Sequence, residues 1–167
     1  MKRNPKTILI LFTTIFLTTL VSCNLSKKYE KAEADEIQFY LAQRPGQNYQ
    51  LKPSGLYFLD SIPGTGRQAI THDTVYIKYT GKFIDGTIFD SNILNSRTDT
   101  LVFPANEGWM ISGFDEGITY MKVGGRATLL IPSKLAYGTA GYPPYIGGYE
   151  PLIFELRLVK VIPGSGK

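Results

Sequence analysis

Groups able to act as nucleophiles, bases or metal ligands are scarce in this chain of 167 residues, which holds one histidine and one cysteine. One thiol cannot close an internal disulfide or build a Cys-rich zinc site, and one imidazole cannot supply a His-based centre. Redox and zinc chemistry fall away, and no metal or cofactor is expected. His72 stands in Thr71-His72-Asp73, a turn before a strand; a surface or capping role suits it, because a catalytic base needs a positioned partner that the neighbouring sequence does not offer. Gly113, Gly117, Gly124 and Gly125 do not follow a strand and no Lys-Ser/Thr follows them, so they are not a phosphate loop. The carboxylates are scattered and do not suggest glycoside cleavage.

What does accumulate is aromatic and aliphatic surface in turn-rich places. Tyr79-Thr80-Gly81, Phe89-Asp90-Ser91, Gly108-Trp109-Met110-Ile111, Ala136-Tyr137-Gly138 and Tyr142-Pro143-Pro144-Tyr145-Ile146 suggest an apolar cleft rimmed by loops, the ordinary form of a small-ligand or peptide site. Tyr79, Ile111 and Phe154 fit a filled core equally well.

The elements that must position these residues are short and mostly β. After Pro53, apolar segments run from Leu56 to Ile62, Thr74 to Phe83, Thr87 to Phe89, Leu101 to Phe103, Arg126 to Ile131 and Leu152 to Val161, separated by Pro63-Gly64, Asp85-Gly86, Gly124-Gly125 and Gly147-Gly148. The spacing predicts one helix within this region, from Ser112 to Met121, with Ser112 as N-cap, Asp115 in the first turn, and Phe114, Ile118 and Met121 on one buried face. One short helix against one curved, mainly antiparallel sheet makes the domain α+β. The 17 Gly, 10 Pro and 43% apolar residues agree with one turn-rich globular domain plus an appendage.

That appendage is N-terminal. Lys2, Arg3 and Lys6 precede an uncharged stretch from Thr7 to Asn24 whose apolar part, Ile8 to Val21, is shorter than the roughly 20 residues of a spanning helix. The pattern is a secretory signal, and Leu20-Val21-Ser22-Cys23 matches the bacterial lipobox. Cys23 is then a lipid attachment site; an ordinary signal with a chance Cys, or an uncleaved anchor, are the alternatives. Each acyl methylene buried in a bilayer adds about 0.8 kcal/mol, so several chains would hold the protein on a membrane. Losing residues 1 to 22 removes three of the 18 basic residues and none of the 14 acidic ones, leaving a formal charge of +1. With its charges scattered along the sequence, the remaining chain has no footprint for nucleic acid. The stretch from Asn24 to Gln50 favours helix: Ile37, Tyr40 and Leu41 form an apolar face before Pro45-Gly46, and the preceding charged residues read as a solvated spacer. The expected organisation is a signal over 1–22, the lipid-attached Cys, spacer and short helix over 23–50, the domain over 51–163 and a tail over 164–167.

The stretch Tyr79-Thr80-Gly81-Lys82-Phe83-Ile84-Asp85-Gly86-Thr87-Ile88-Phe89-Asp90-Ser91 closely resembles the Y-T-G-x-x-x-D-G-x-x-F-D-S signature of FKBP-type peptidyl-prolyl cis-trans isomerases. Ile111 to Gly117, Met121 to Ala127, Leu135 to Gly138 and Pro151 to Leu156 resemble four further segments of that family, in order, between roughly Leu56 and Ile162. The resemblance implies a half β-barrel, a bent antiparallel sheet wrapped around one short helix, with a hydrophobic pocket between them. It implies catalytic roles for Tyr79, Phe89, Asp90, Ile111, Phe114, Tyr137 and Phe154, and substrate contacts from Leu101, Met110, Ala136, Tyr142, Tyr145 and Ile146. The chain departs from the pattern where the family's usual floor Trp is Phe114, a wall Phe is Leu101, an acid is Trp109, and a His and an Ile of the late loop are Tyr142 and Tyr145. About ten extra residues around Asn92 to Asp99 reshape one rim.

The function implied is acceleration of X-Pro bond rotation in proline-containing polypeptide clients. A proline-segment binding module and a structural lipoprotein of an envelope assembly are the alternatives. The lipobox, spacer and single domain together are similar to the envelope-anchored members described as gliding-motility-associated isomerases. The expected location is the bacterial cell envelope, lipid-anchored through Cys23; Asn24, where an Asp would retain the protein, points to the outer membrane facing the periplasm, where envelope machinery would be a further partner.

Overall fold

Alternation of apolar residues makes the middle of the chain into strands, and in the computed structural model, which describes residues 25–93 and 100–164, seven of them form one antiparallel sheet. They are β1 (Gln50–Leu51), β2 (Tyr57–Ile62), β3 (Thr74–Phe83), β4 (Ile88–Ser91), β5 (Leu101–Pro104), β6 (Arg126–Ile131) and β7 (Leu152–Ile162). Their order is β1-β2-β6-β7-β3-β4, and β5 also pairs with β3. Bulges between Tyr76 and Ile77, Gly81 and Lys82, and Asp60 and Ile62 bend the sheet, because an extra residue on one strand kinks the ladder and increases its twist. The bent, open α+β arrangement agrees with the sequence expectation.

On the inner face, Val75 and Ile77 of β3 and Leu152, Leu156 and Leu158 of β7 enter the main core with Leu129 and Ile131 of β6. The helix α2 (Ser112–Thr119) closes this face with Phe114 and Ile118 fully buried. It lies very close to β6: a Cβ on Gly117 would stand 2.4 Å from Leu129 Cδ1, and one on Gly113 would stand 2.5 Å from Ile131 Cγ2. The two glycines, one helical turn apart, let the backbone of α2 rest on the branched side chains of the strand.

Three expectations change. Ile111, with extended backbone, is the N-cap of α2 in place of Ser112 and no side chain caps the helix; the Ser112 hydroxyl donates to the Leu135 carbonyl at 3.1 Å. The helix ends at Thr119, although Met121 is buried as expected. The charged residues before Ile37 form a continuous helix α1 (residues 25–42) and stay exposed as expected, except Glu33, which together with Ser26 and Tyr29 faces the domain. Tyr29 stacks on Tyr149 with ring centroids 5.3 Å apart, Tyr149 Oη donates to Ser26 Oγ at 3.1 Å, and the Glu33 carboxylate accepts from the Ser133 amide and, at 2.7 Å, from the Ser133 hydroxyl. The expected face forms as read: Ile37 packs with Leu130 and Ile153 on the outer side of the sheet, flanked by Tyr40 and Leu41. No helix among the described residues is long and apolar enough to cross a membrane. The signal, Cys23, Asn24, most of the Asn92 to Asp99 insertion and all of the 164–167 tail except Gly164 lie outside the described residues.

Candidate active site

Where β3 and β7 run side by side, Gly81 is paired with Phe154, and Tyr79 with Leu156. A Cβ on Gly81 would stand 2.7 Å from the Phe89 ring and 3.0 Å from the Phe154 ring. The missing side chain is thus the space in which these two rings meet, 5.6 Å apart and at 86°. From the helix side comes Phe114, 5.1 Å from Phe154 at 90° and 6.1 Å from Tyr79 at 89°. Near-perpendicular rings place positive edges against negative faces, so each ring fixes the tilt of the next.

Phe114 is fully buried, Phe154 is nearly so, and Tyr79, Phe89, Leu101, Met110, Ile111 and Ala136 are half-buried and pack on the same core cluster. The rim is aromatic: Tyr137, Tyr142 and Tyr145 stack in sequence at 5.5 and 6.1 Å. Trp109 is 70% exposed. Ile146 does not belong to the rim. It is buried in the core cluster with Phe114 and Phe154, where the Tyr142 to Ile146 backbone bridge holds it.

Polar groups around the cleft are few and anchored. Tyr79 Oη donates to Asp90 Oδ2 at 2.6 Å. The Asn92 side chain accepts from the Tyr79 amide at 2.8 Å and donates to the Ile77 carbonyl at 2.9 Å, while the Ser91 hydroxyl donates to the Tyr79 carbonyl at 3.0 Å. The loop carrying Trp109 and Met110 is held by Asp115 of α2, which accepts from the Gly108 amide at 2.8 Å. Two donors are spare: among the described residues neither the Ile111 amide nor the Tyr137 hydroxyl has a protein acceptor. Burial, then the neighbouring Tyr142 and Asp90, push the Tyr137 phenol above its ordinary pKa, so it stays a donor. His72 is exposed and its Nδ1 contacts the Glu107 carboxylate. No group of His, Cys, Asp or Glu able to hold a metal ion occurs among the described residues.

A half-buried aromatic cage with two free donors is a site for an apolar group flanked by carbonyls. The model of the family described as FKBP-type peptidyl-prolyl cis-trans isomerase matches residues 65–159, which contain every residue of the cage. The chain belongs to that family. A probable FKBP-type peptidyl-prolyl cis-trans isomerase, FkpA, of Neisseria meningitidis is 36% identical over 132 residues, 78% of this chain and 47% of that protein; the chain therefore spans about half the length of this relative. Among solved structures, a peptidyl-prolyl cis-trans isomerase of Pseudomonas syringae superposes with a TM-score of 0.69 at 28% identity, covering 83% of this chain and 96% of the other. FkpA of Escherichia coli superposes with a TM-score of 0.69 at 29% identity, covering 97% of this chain and 75% of the other. In this FKBP-type chain two further rings back the cage, Phe83 against Phe89 at 5.0 Å and Phe103 against Phe114 at 6.0 Å. Sequence reasoning passed over both, and over Asn92. Phe103 and Phe114 both show inward-facing spacing, but nothing local says which core rings touch a ligand.

Proposed function

We propose that the chain is a peptidyl-prolyl cis-trans isomerase turning X-Pro bonds of exported polypeptides from an anchor in the cell envelope. One observation carries the reading: Phe114 lies buried beneath rings set at right angles to it, beside two hydrogen-bond donors that no protein group among the described residues uses. Amide resonance gives the X-Pro bond a rotation barrier of about 20 kcal/mol, and unaided rotation takes tens to hundreds of seconds. In the twisted transition state the nitrogen regains a lone pair and the amide dipole shrinks. An apolar, water-poor cage disfavours the planar, polar ground state relative to that state. No bond between heavy atoms need form, which is why the site works without a nucleophile.

In this mechanism the prolyl ring rests over Phe114 between Tyr79, Phe89, Met110, Ile111 and Phe154. The Ile111 amide and the Tyr137 hydroxyl hold flanking carbonyls, orienting the chain and transferring no proton. Asp90 acts through Tyr79, and Leu101, Ala136, Tyr142 and Tyr145 shape the rim. The exposed tyrosine stack also suits simple docking of a proline-bearing segment, as in a binding module. A proline-peptide isomerisation assay separates the two readings. The isomerase accelerates cis-to-trans conversion, whereas a binder competes for peptide without accelerating it.

The lipobox supports attachment through lipid on Cys23, and Asn24 supports the outer membrane, facing the periplasm. There slow prolyl steps would leave folding intermediates exposed to aggregation. The same pattern supports a kinship with gliding-motility-associated isomerases, with envelope machinery as partner. Metabolic labelling with palmitate tests the anchor: label and membrane association in the wild type, both lost in Cys23→Ser.

A further inference from the structure

Among the described residues, the outer face of the sheet is covered at one end, where α1 lays Ile37 on Leu130 and Ile153. Beyond that contact the face carries a row of three cations. Arg157 of β7 is the direct partner of Lys78 on β3 and of Arg126 on β6, so the three side chains leave neighbouring strands about 5 Å apart on the same face. Like charges in directly opposed positions repel and destabilise a sheet. Among the described residues none of the three has an acidic partner. The nearest carboxylate in the next row, Glu155, is engaged by Lys82 at 2.6 Å.

The row lines a hollow of about 570 Å³ whose walls add the hydroxyls of Ser61, Thr80 and Thr128, the Ile93 side chain and Glu155, whose carboxylate is paired with Lys82. Ser61 Oγ and Thr128 Oγ1 lie 3.4 Å apart across it. Two guanidinium forks, an ammonium and hydroxyl donors in one concavity match the several oxygens of a phosphate, which guanidinium groups bind in pairs of parallel hydrogen bonds. We propose that this hollow is a binding site for a phosphate group, borne either by a small soluble ligand or by a lipid headgroup. The bound anion relieves the repulsion within the row. Tyr79 and Leu156 face the opposite side of the same strands, so an occupied hollow leaves the aromatic cage open.

Calorimetric titration of the full chain, at constant ionic strength, with inorganic pyrophosphate and with dihexanoyl phosphatidylglycerol below its micelle concentration tests the site. Binding of at least one of the two is expected, weakened about tenfold or more in Arg157→Gln, as loss of a charge-assisted contact implies, and unchanged in Lys27→Gln, which removes the same charge from α1. Binding of pyrophosphate alone assigns the site to a soluble phosphate, and tighter binding of the phospholipid assigns it to a headgroup. Arg157→Gln should also have a higher Tm than the wild type without ligand, since the repulsion is gone; Arg126→Gln repeats both measurements should the first variant misfold. No binding of either compound, or equal weakening in Lys27→Gln, overturns the proposal.

Discussion

Tyr79 donates its hydroxyl to Asp90 at 2.6 Å across the β3–β4 pair, so this carboxylate is a tether for a wall of the cage. The wall residue is also fixed through its main chain by Asn92 and Ser91. Tyr79→Phe and Asp90→Ala should each lower kcat/KM severalfold, and the double variant should lose little more than either alone, because both remove one interaction. Additive losses would mean that Asp90 acts on the substrate directly.

The absence of a proton-transferring group in this mechanism has its own consequence. Activity should be flat between about pH 6 and 9, where a working His or raised carboxylate would produce a limb in the profile. The measurement is kcat/KM against pH with a peptide that does not itself titrate.

The docking of α1 rests on Glu33 as well as on Ile37. Glu33→Ala leaves the Ser133 amide and hydroxyl without their acceptor, at a cost of about 1–3 kcal/mol. A lowered Tm and faster proteolysis within residues 25–42, with the isomerase activity intact, are the expected readouts.

Acid should act on stability in two opposed ways. Burial, then repulsion from Glu33 and Asp85, raises the Glu36 carboxyl; burial, then Glu36, Asp85 and Glu33, raises that of Glu150. Such a group binds its proton more tightly in the folded chain, so its contribution to stability falls as pH rises from the ordinary carboxylate range through the raised value. Glu36→Gln and Glu150→Gln should therefore raise Tm at neutral pH, with the gain shrinking in acid. Burial opposes ionisation of Asp73, but the bonds from Arg67, Gly164 and Ile70 outweigh it and hold this carboxyl below the usual range. Its contribution is present above that range and lost as pH falls through the lowered value. Asp73→Asn should lower Tm at neutral pH and matter less in acid.

These contacts also mark what the sequence could reveal. The bounds of β3 were legible because Val75, Ile77 and Tyr79 alternate there, and β7 was legible as a strand because too many of its residues are apolar to be solvated, although which of them face inward was not. β1 was not legible, being two exposed residues with no pattern. The start of α2 was misread because Ser112 has the chemistry of a cap, while extended backbone at Ile111 takes that position. The docking of Glu33 depends on Ser133, a hundred residues away, and a carboxylate within a mixed-charge run gives no sign of a distant partner. Ile146 sits among rim tyrosines in sequence but turns inward, a choice made by the bridge to Tyr142. Lys78, Arg126 and Arg157 are scattered along the chain and become a row only through strand register. The cage was legible as chemistry because its residues cluster in short motifs, whereas the ring angles and the free donors required the fold.

The central claim is that the aromatic cage accelerates X-Pro rotation by holding the prolyl group away from water. Proline-limited refolding of a model substrate, measured with the wild type, Phe89→Ala and Tyr137→Ala, tests it most directly. The account expects the wild type to accelerate the slow phase and each variant to lose tenfold or more in kcat/KM, about 1.4 kcal/mol of transition-state stabilisation. Catalysis undiminished in both folded variants would contradict it.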